Sequence, residues 1–265
     1  MKSRSRFIFS MLSFGYAFLY IPLVSVVFYS FNASSLATVW GGFSTRWYGE
    51  LFRNEQVLDA LFLSIKIAVT SATVATILGT MSGLALARFG RFKGRTLFSG
   101  MISSPMVMPE VITGLSLLLL FVTLQQLTGW PGQRGFSTIT IAHITFSMAY
   151  VAIIVQSRLI AMNESLEEAA MDLGGRPLRV VFDITLPLIA PAMIAGWLLS
   201  FTLSLDDLVI ASFVSGPGST TLPMLIFSKV KLGVSPDINA LATLIIAAVS
   251  FGVAIAWLVM RRSTR

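Results

Sequence analysis

Six apolar runs divide this chain almost from end to end, each matching the roughly 20 residues a helix needs to cross a bilayer. They cover residues 7–31, 62–87, 96–124, 138–160, 188–213 and 238–260 of 265. Only 12% of the residues are charged, too few to cover a water-facing surface, whereas 55% are hydrophobic. Backbone N–H and C=O groups in lipid must be satisfied within their own segment, so each run is expected to be a helix. The expected fold class is an all-α integral membrane protein with six transmembrane helices.

The first run follows Lys2, Arg4 and Arg6, as the apolar core of a signal peptide would. It is too long for one and no convincing small-residue cleavage site follows, so an uncleaved anchor is expected. There is no cysteine, and His143 is the single histidine. Disulfides, thiol nucleophiles and Cys- or His-rich metal sites are thereby excluded. No catalytic residue and no metal ligand is assigned.

The net charge of +7 lies in short clusters between the apolar runs, a topology signal and not a nucleic-acid face. One side collects Lys2, Arg4, Arg6, Arg88, Arg91, Lys93, Arg95, Arg158, Arg176, Arg179, Arg261, Arg262 and Arg265. The other holds only Arg46, Arg53, Lys66, Arg134, Lys229 and Lys231. The positive-inside bias places both termini in the cytoplasm, as six spans require. The organisation expected is an anchor helix with an external loop (1–57), a membrane core (58–260) and a basic cytoplasmic tail (261–265).

On the outer side, Trp40, Trp47 and Tyr48 in the 32–57 loop fit an interfacial aromatic belt or contact with an external partner. The outer segment 214–237 is apolar at its middle, Leu222 to Phe227, and is expected to dip back toward the bilayer. Small residues at Gly79 to Gly83 and Ala85 to Ala87 predict close helix packing, with an interface between two membrane subunits as one site for it. Lys66 is expected to snorkel. His143 is expected to make an interhelical hydrogen bond in preference to relaying protons.

The cytoplasmic loop Asn163 to Pro187 is organised. Ser165 and Glu168 have the spacing of a capping box, which predicts a helix start. Leu166, Ala169, Ala170 and Leu173 follow at helical spacing and form one narrow apolar stripe. Gly174 and Gly175 end that helix, and Pro177 opens a second short one. Such a helix either rests on the membrane or sits in another protein's groove.

Glu168-Ala169-Ala170, then Gly174, Ile184 and Leu186-Pro187 at their spacing, resemble the full EAA signature of bacterial ABC importer permeases. The resemblance implies the type I importer permease fold, and a coupling helix that docks on a cytoplasmic ATPase through Glu168, Ala169, Ala170 and Gly174, with Leu166 and Leu173 on its apolar face. The chain has no phosphate-binding G-x-x-x-x-G-K-[ST] loop, so ATP and Mg would be used by a partner and no cofactor bound here.

Three acids fall inside spans, where ionisable groups are expensive and point to function: Glu110, Asp206 and Asp207. Pro109 lacks an N–H for the Pro105 carbonyl, so the third span should kink or open beside Glu110. Counted at about 1.5 Å per residue, all three acids fall in the outer half. In a continuous fifth helix, Ser200, Ser204 and Asp207 share a stripe with Trp197, while Thr202 and Asp206 lie on its neighbour. An anionic path beside Trp197 suits an organic cation. The alternative is that one aspartate caps the outer end of its own helix or meets Lys229 or Lys231.

Pro109-Glu110-Val111-Ile112-Thr113-Gly114, and Leu203 to Pro217 with its Asp-Asp and Ser-Gly-Pro-Gly, resemble the polyamine-importer permeases, closest to the putrescine branch. Thr45 to Glu50 and Asn239 to Leu244 extend the resemblance. It implies a bacterial inner-membrane permease that pairs with a second, different permease, two ATP-binding subunits and an external binding protein. Glu110 stands where the family more often has aspartate. Two other readings stay open: the same machine carrying another small cation such as a basic amino acid, and a stand-alone ion-coupled transporter.

Overall fold

The apolar runs are helices, and two of them are broken. The structure is a computed structural model that describes residues 2–36, 39–233 and 236–263, with side chains at 2–6 and 253–263 outside that description. Arg265, part of the expected basic tail, lies outside the described residues. In chain order the helices are α1 (Lys2–Tyr29), α2 (Arg46–Leu51), α3 (Glu55–Arg88), α4 (Arg95–Val107), α5 (Glu110–Thr128), α6 (Phe136–Ala161), α7 (Ser165–Asp172) and α8 (Pro177–Val180). A π-helical turn (Val181–Thr185) joins α8 to α9 (Leu186–Asp206), followed by α10 (Val209–Val214), α11 (Leu222–Leu232) and α12 (Pro236–Ser263).

The third run breaks where expected. Met108 and Pro109 are extended, with ψ of 137° and 136°, and separate α4 from α5. Pro109 cannot donate to the preceding turn, and it pushes Met108 out of the helical region. The fifth run departs from expectation. It begins earlier, as one helical stretch Pro177–Asp206, so Pro177 starts the span itself and not a separate short helix. It ends at Asp206, because Asp207 is extended with ψ 122°.

Two compact units result: Met1–Leu58 with Leu225–Arg265, and Asp59–Met224. In the first, α1 and α2 both pack on α12. Fully buried Asn32 organises the following loop, its amide donating to the Val39 and Leu36 carbonyls and accepting from the Gly41 and Ser34 N–H groups. Trp47 is buried and donates from Nε1 to the Asn32 carbonyl at 2.7 Å, and the Tyr48 hydroxyl meets Ser30. Trp47 therefore serves the loop's interior, which corrects its placement in a surface aromatic belt. Trp40 is the exposed ring, stacked on Phe28.

In the second unit, α3, α6 and α9 meet along a seam of small residues. A Cβ on Gly79 would lie 2.6 Å from Val151 Cβ, one on Gly83 2.9 Å from the Ala152 carbonyl, and one on Gly196 3.2 Å from Val151 Cγ1. These glycines let backbones approach within the chain, so Gly79 and Gly83 face α6 and not a second permease. One turn along the seam the contacts turn polar: Ser147 on α6 and Ser200 on α9 are fully buried. One turn further come His143 and Ser204.

The short helix α10 lies on α5, where Gly114 leaves room for the Phe213 ring, 2.7 Å from where a Cβ would stand. Its last carbonyls are taken by α6 and the loop before it: Thr138 Oγ1 donates to the Val214 carbonyl at 2.7 Å and Arg134 reaches that of Phe213. The N-terminus of α11 is held by Ser64 Oγ, which accepts from the Leu222 N–H.

Candidate functional site

Asp207 is a cap. Its carboxylate accepts from the Ala211 N–H at 2.7 Å and the Ile210 N–H at 3.3 Å, satisfying two donors at the start of α10 that have no helical partner. His143 Nε2 lies 3.1 Å from the same carboxylate, and His143 Nδ1 lies 2.6 Å from Ser204 Oγ. Ser71 Oγ on α3 donates to Ser204 at 3.0 Å. The side chains of His143 and Asp207 are 2% and 7% exposed, and Ser204 is buried. The line from Ser71 through Ser204 and His143 to Asp207 thus pins the break between α9 and α10 to α3 and α6.

Asp206, one residue earlier, is exposed and ends α9. A helix C-terminus carries partial negative charge from its unpaired carbonyls, so a carboxylate there adds to a negative field that a cation relieves. Asp207 faces the opposite field, at the positive start of α10. Two adjacent aspartates are therefore set in contrary electrostatic surroundings. The expected stripe of Ser200, Ser204 and Asp207 does not form as drawn, because the helix stops between Ser204 and Asp207.

The remaining residues of the expected path separate. Trp197 is half-buried, donates from Nε1 to Thr73 Oγ1 at 3.1 Å and stacks on Phe201. Glu110 is exposed as the first residue of α5, where the helix dipole favours its charge. Lys66 lies over the Phe136 ring, while Lys229 pairs with Asp237 and Lys231 lies over Phe227.

The EAA loop forms a helix with its apolar side uncovered. Leu166 and Leu173 are 49% and 91% exposed, Glu168 and Ala169 are exposed, and Ala170 is half-buried. Gly174 has φ +89°, the left-handed conformation that ends the helix. Gly175 is equally constrained by space, since a Cβ would stand 2.7 Å from the Ala170 carbonyl. Between this turn and α8, an open concavity of about 620 Å³ is lined by Leu173, Gly174, Arg176, Arg179 and Asp183.

The capping box does not form. Ser165 is already helical, and Asn163 Oδ1 takes its N–H at 3.1 Å, so the asparagine side chain supplies the acceptor expected from serine. The acid that holds the helix in place is Glu167, which bonds to Arg88 and Thr185. Neither Glu167 nor Arg88 was singled out by the motif, and their separation in sequence hides the contact.

Residues 75–264 match the family described as binding-protein-dependent transport system inner membrane component. The chain is 61% identical to the putrescine transport system permease protein PotI of Escherichia coli (strain K12), over 95% of this chain and 89% of that one. It is 44% identical to the spermidine/putrescine transport system permease protein PotC of the same organism, over 87% and 85%. In fold it is similar to a bacterial ABC transporter involved in the import of the acidic polysaccharide alginate, with a TM-score of 0.74 at 17% identity, covering 98% of this chain and 96% of that one. The MetNI methionine ABC transporter in inward-facing conformations gives 0.61 at 14%, covering 79% and 96%. The EAA helix fits this family, and the chain belongs to the inner-membrane permease components of binding-protein-dependent ABC importers.

Proposed function

We propose that the chain carries a small polyamine inward, putrescine first and spermidine next, as the transmembrane subunit of a machine driven by ATP hydrolysis elsewhere. The observation that carries the cargo is the 61% identity to a putrescine permease along nearly the whole chain. The site chemistry supports it: Asp206 is an exposed carboxylate at the negative end of a broken span, where an ammonium group replaces missing hydrogen bonds and charge. Glu110 supplies a second carboxylate at the other break, next to Pro109, which has no N–H to offer the Pro105 carbonyl. Trp197 and Ser204 stand behind Asp206 on α9, shaping its surroundings while bonded to α3 and α6.

The uncovered stripe of α7 docks on an ATP-binding subunit, with Leu166, Ala169, Ala170 and Leu173 as the buried face, Gly174 as the turn and Glu168 free to meet a cation. Both termini lie in the cytoplasm by the distribution of cations. The assembly holds a second, non-identical permease, two ATP-binding subunits that use ATP and Mg, and an external binding protein. Competition tests the cargo: unlabelled putrescine and spermidine are expected to suppress labelled putrescine uptake by the reconstituted complex, and lysine is not. Suppression by lysine alone would sink the polyamine assignment.

A further inference from the structure

We infer that Arg88 and Glu167 form the mechanical link through which movement of α7 reaches the membrane spans. The inference rests on α7 being the ATPase-docking helix. Arg88 is the last residue of α3. Its Nε donates to Glu167 Oε2 at 2.8 Å and its Nη1 to Glu164 Oε1 at 2.9 Å. The other Glu167 oxygen accepts from Thr185 Oγ1 at 2.8 Å. Thr185 closes the π-helical turn at the foot of α9 and is itself buried. One carboxylate on α7 therefore holds the end of one span and the π-helical turn of another.

The side chains of Arg88 and Glu167 are only 14% and 13% exposed, unlike the neighbouring Arg179–Asp183 pair at 80% and 62%. Solvent-exposed pairs hold little, whereas removing one partner of a desolvated pair leaves the other charge without compensation. Glu167 also has both oxygens engaged in directions set by rigid helices, so it cannot swing with α7 and release α3. The turn at 181–185 is where the helical ladder is already widened, a place for the foot of α9 to bend when pulled. Glu168, next in sequence, is exposed and left for the partner. Adjacent acids thus divide the work: Glu168 outward to the ATPase, Glu167 inward to the spans.

The test measures ATP hydrolysis and amine uptake in the same proteoliposomes for Glu167→Gln, Arg88→Lys and the exchanged pair Arg88→Glu/Glu167→Arg. Glu167→Gln is expected to keep hydrolysis while uptake per ATP falls severalfold. Arg88→Lys, which keeps one charged donor, should lose less, and the exchanged pair should recover part of the loss. Unchanged uptake per ATP in Glu167→Gln, or hydrolysis and uptake falling in equal proportion, would overturn the link. A wild-type complex without ATP-coupled uptake would instead remove the docking role of α7. Hydrogen exchange on this full chain in detergent then decides the link separately. Glu167→Gln should speed exchange in both 165–172 and 181–185, and acceleration of 165–172 alone contradicts it.

Discussion

His143 Nε2 stands 3.1 Å from Asp207 Oδ2, and this contact separates the roles of two adjacent aspartates. With Asp207 committed to His143 and to the N–H groups of α10, Asp206 is the carboxylate left exposed. Asp206→Asn should raise the KM for putrescine uptake while the purified chain melts as wild type does. Asp207→Ala should instead lower the melting temperature, because a cap and a buried partner are lost together, at a cost of roughly 1–3 kcal/mol. Melting curves in detergent beside uptake kinetics check both.

The seam of α3 and α6 leaves no room at Gly79. Gly79→Val places branched carbon where Val151 already stands, 2.6 Å from a Cβ. Overpacking of this kind costs roughly 1–3 kcal/mol. The expected outcome is a lowered melting temperature, partly restored when Val151→Ala is added, and a thermal melt of the single and double variants reads it.

The turn after α7 depends on backbone conformation. Gly174 has φ +89° with open space around it, so Gly174→Ala meets no neighbour but carries a left-handed penalty of about 1–2 kcal/mol. Uptake per ATP should fall with the fold of the spans intact, as judged by an unchanged far-ultraviolet circular dichroism spectrum.

Leu173 is 91% exposed and touches little of its own chain. Leu173→Asp should leave the isolated chain as stable as wild type and weaken its capture of the ATP-binding subunit. Co-purification from a strain expressing both subunits makes the comparison.

The break at Pro109 was legible because proline announces its missing donor and its effect on the residue before it. The break at Asp207 was not, since no proline or glycine marks it. A side chain replaces backbone hydrogen bonds there, and its second partner, His143, lies 64 residues away. The same distance problem hid Glu167: its partner Arg88 is 79 residues earlier, and local spacing drew attention to Ser165 and Glu168 instead. The helix over 165–172, its glycine stop and a helix start at Pro177 were readable, because each rests on neighbours within a turn or two, but not that the helix opened by Pro177 runs on into the fifth span. Asn163, outside the helix, takes the capping role by accepting from the Ser165 N–H. Trp47 was misplaced for a related reason: aromatic content marks an interface, but only the fold around Asn32 turns that ring inward.

The measurement closest to the central claim is uptake of labelled putrescine into proteoliposomes holding the complete complex, with ATP supplied or withheld and the membrane potential collapsed by an ionophore. Uptake is expected to require ATP, survive the ionophore and be lost in Leu173→Asp. Uptake that persists without ATP and stops when the potential is collapsed would contradict that claim.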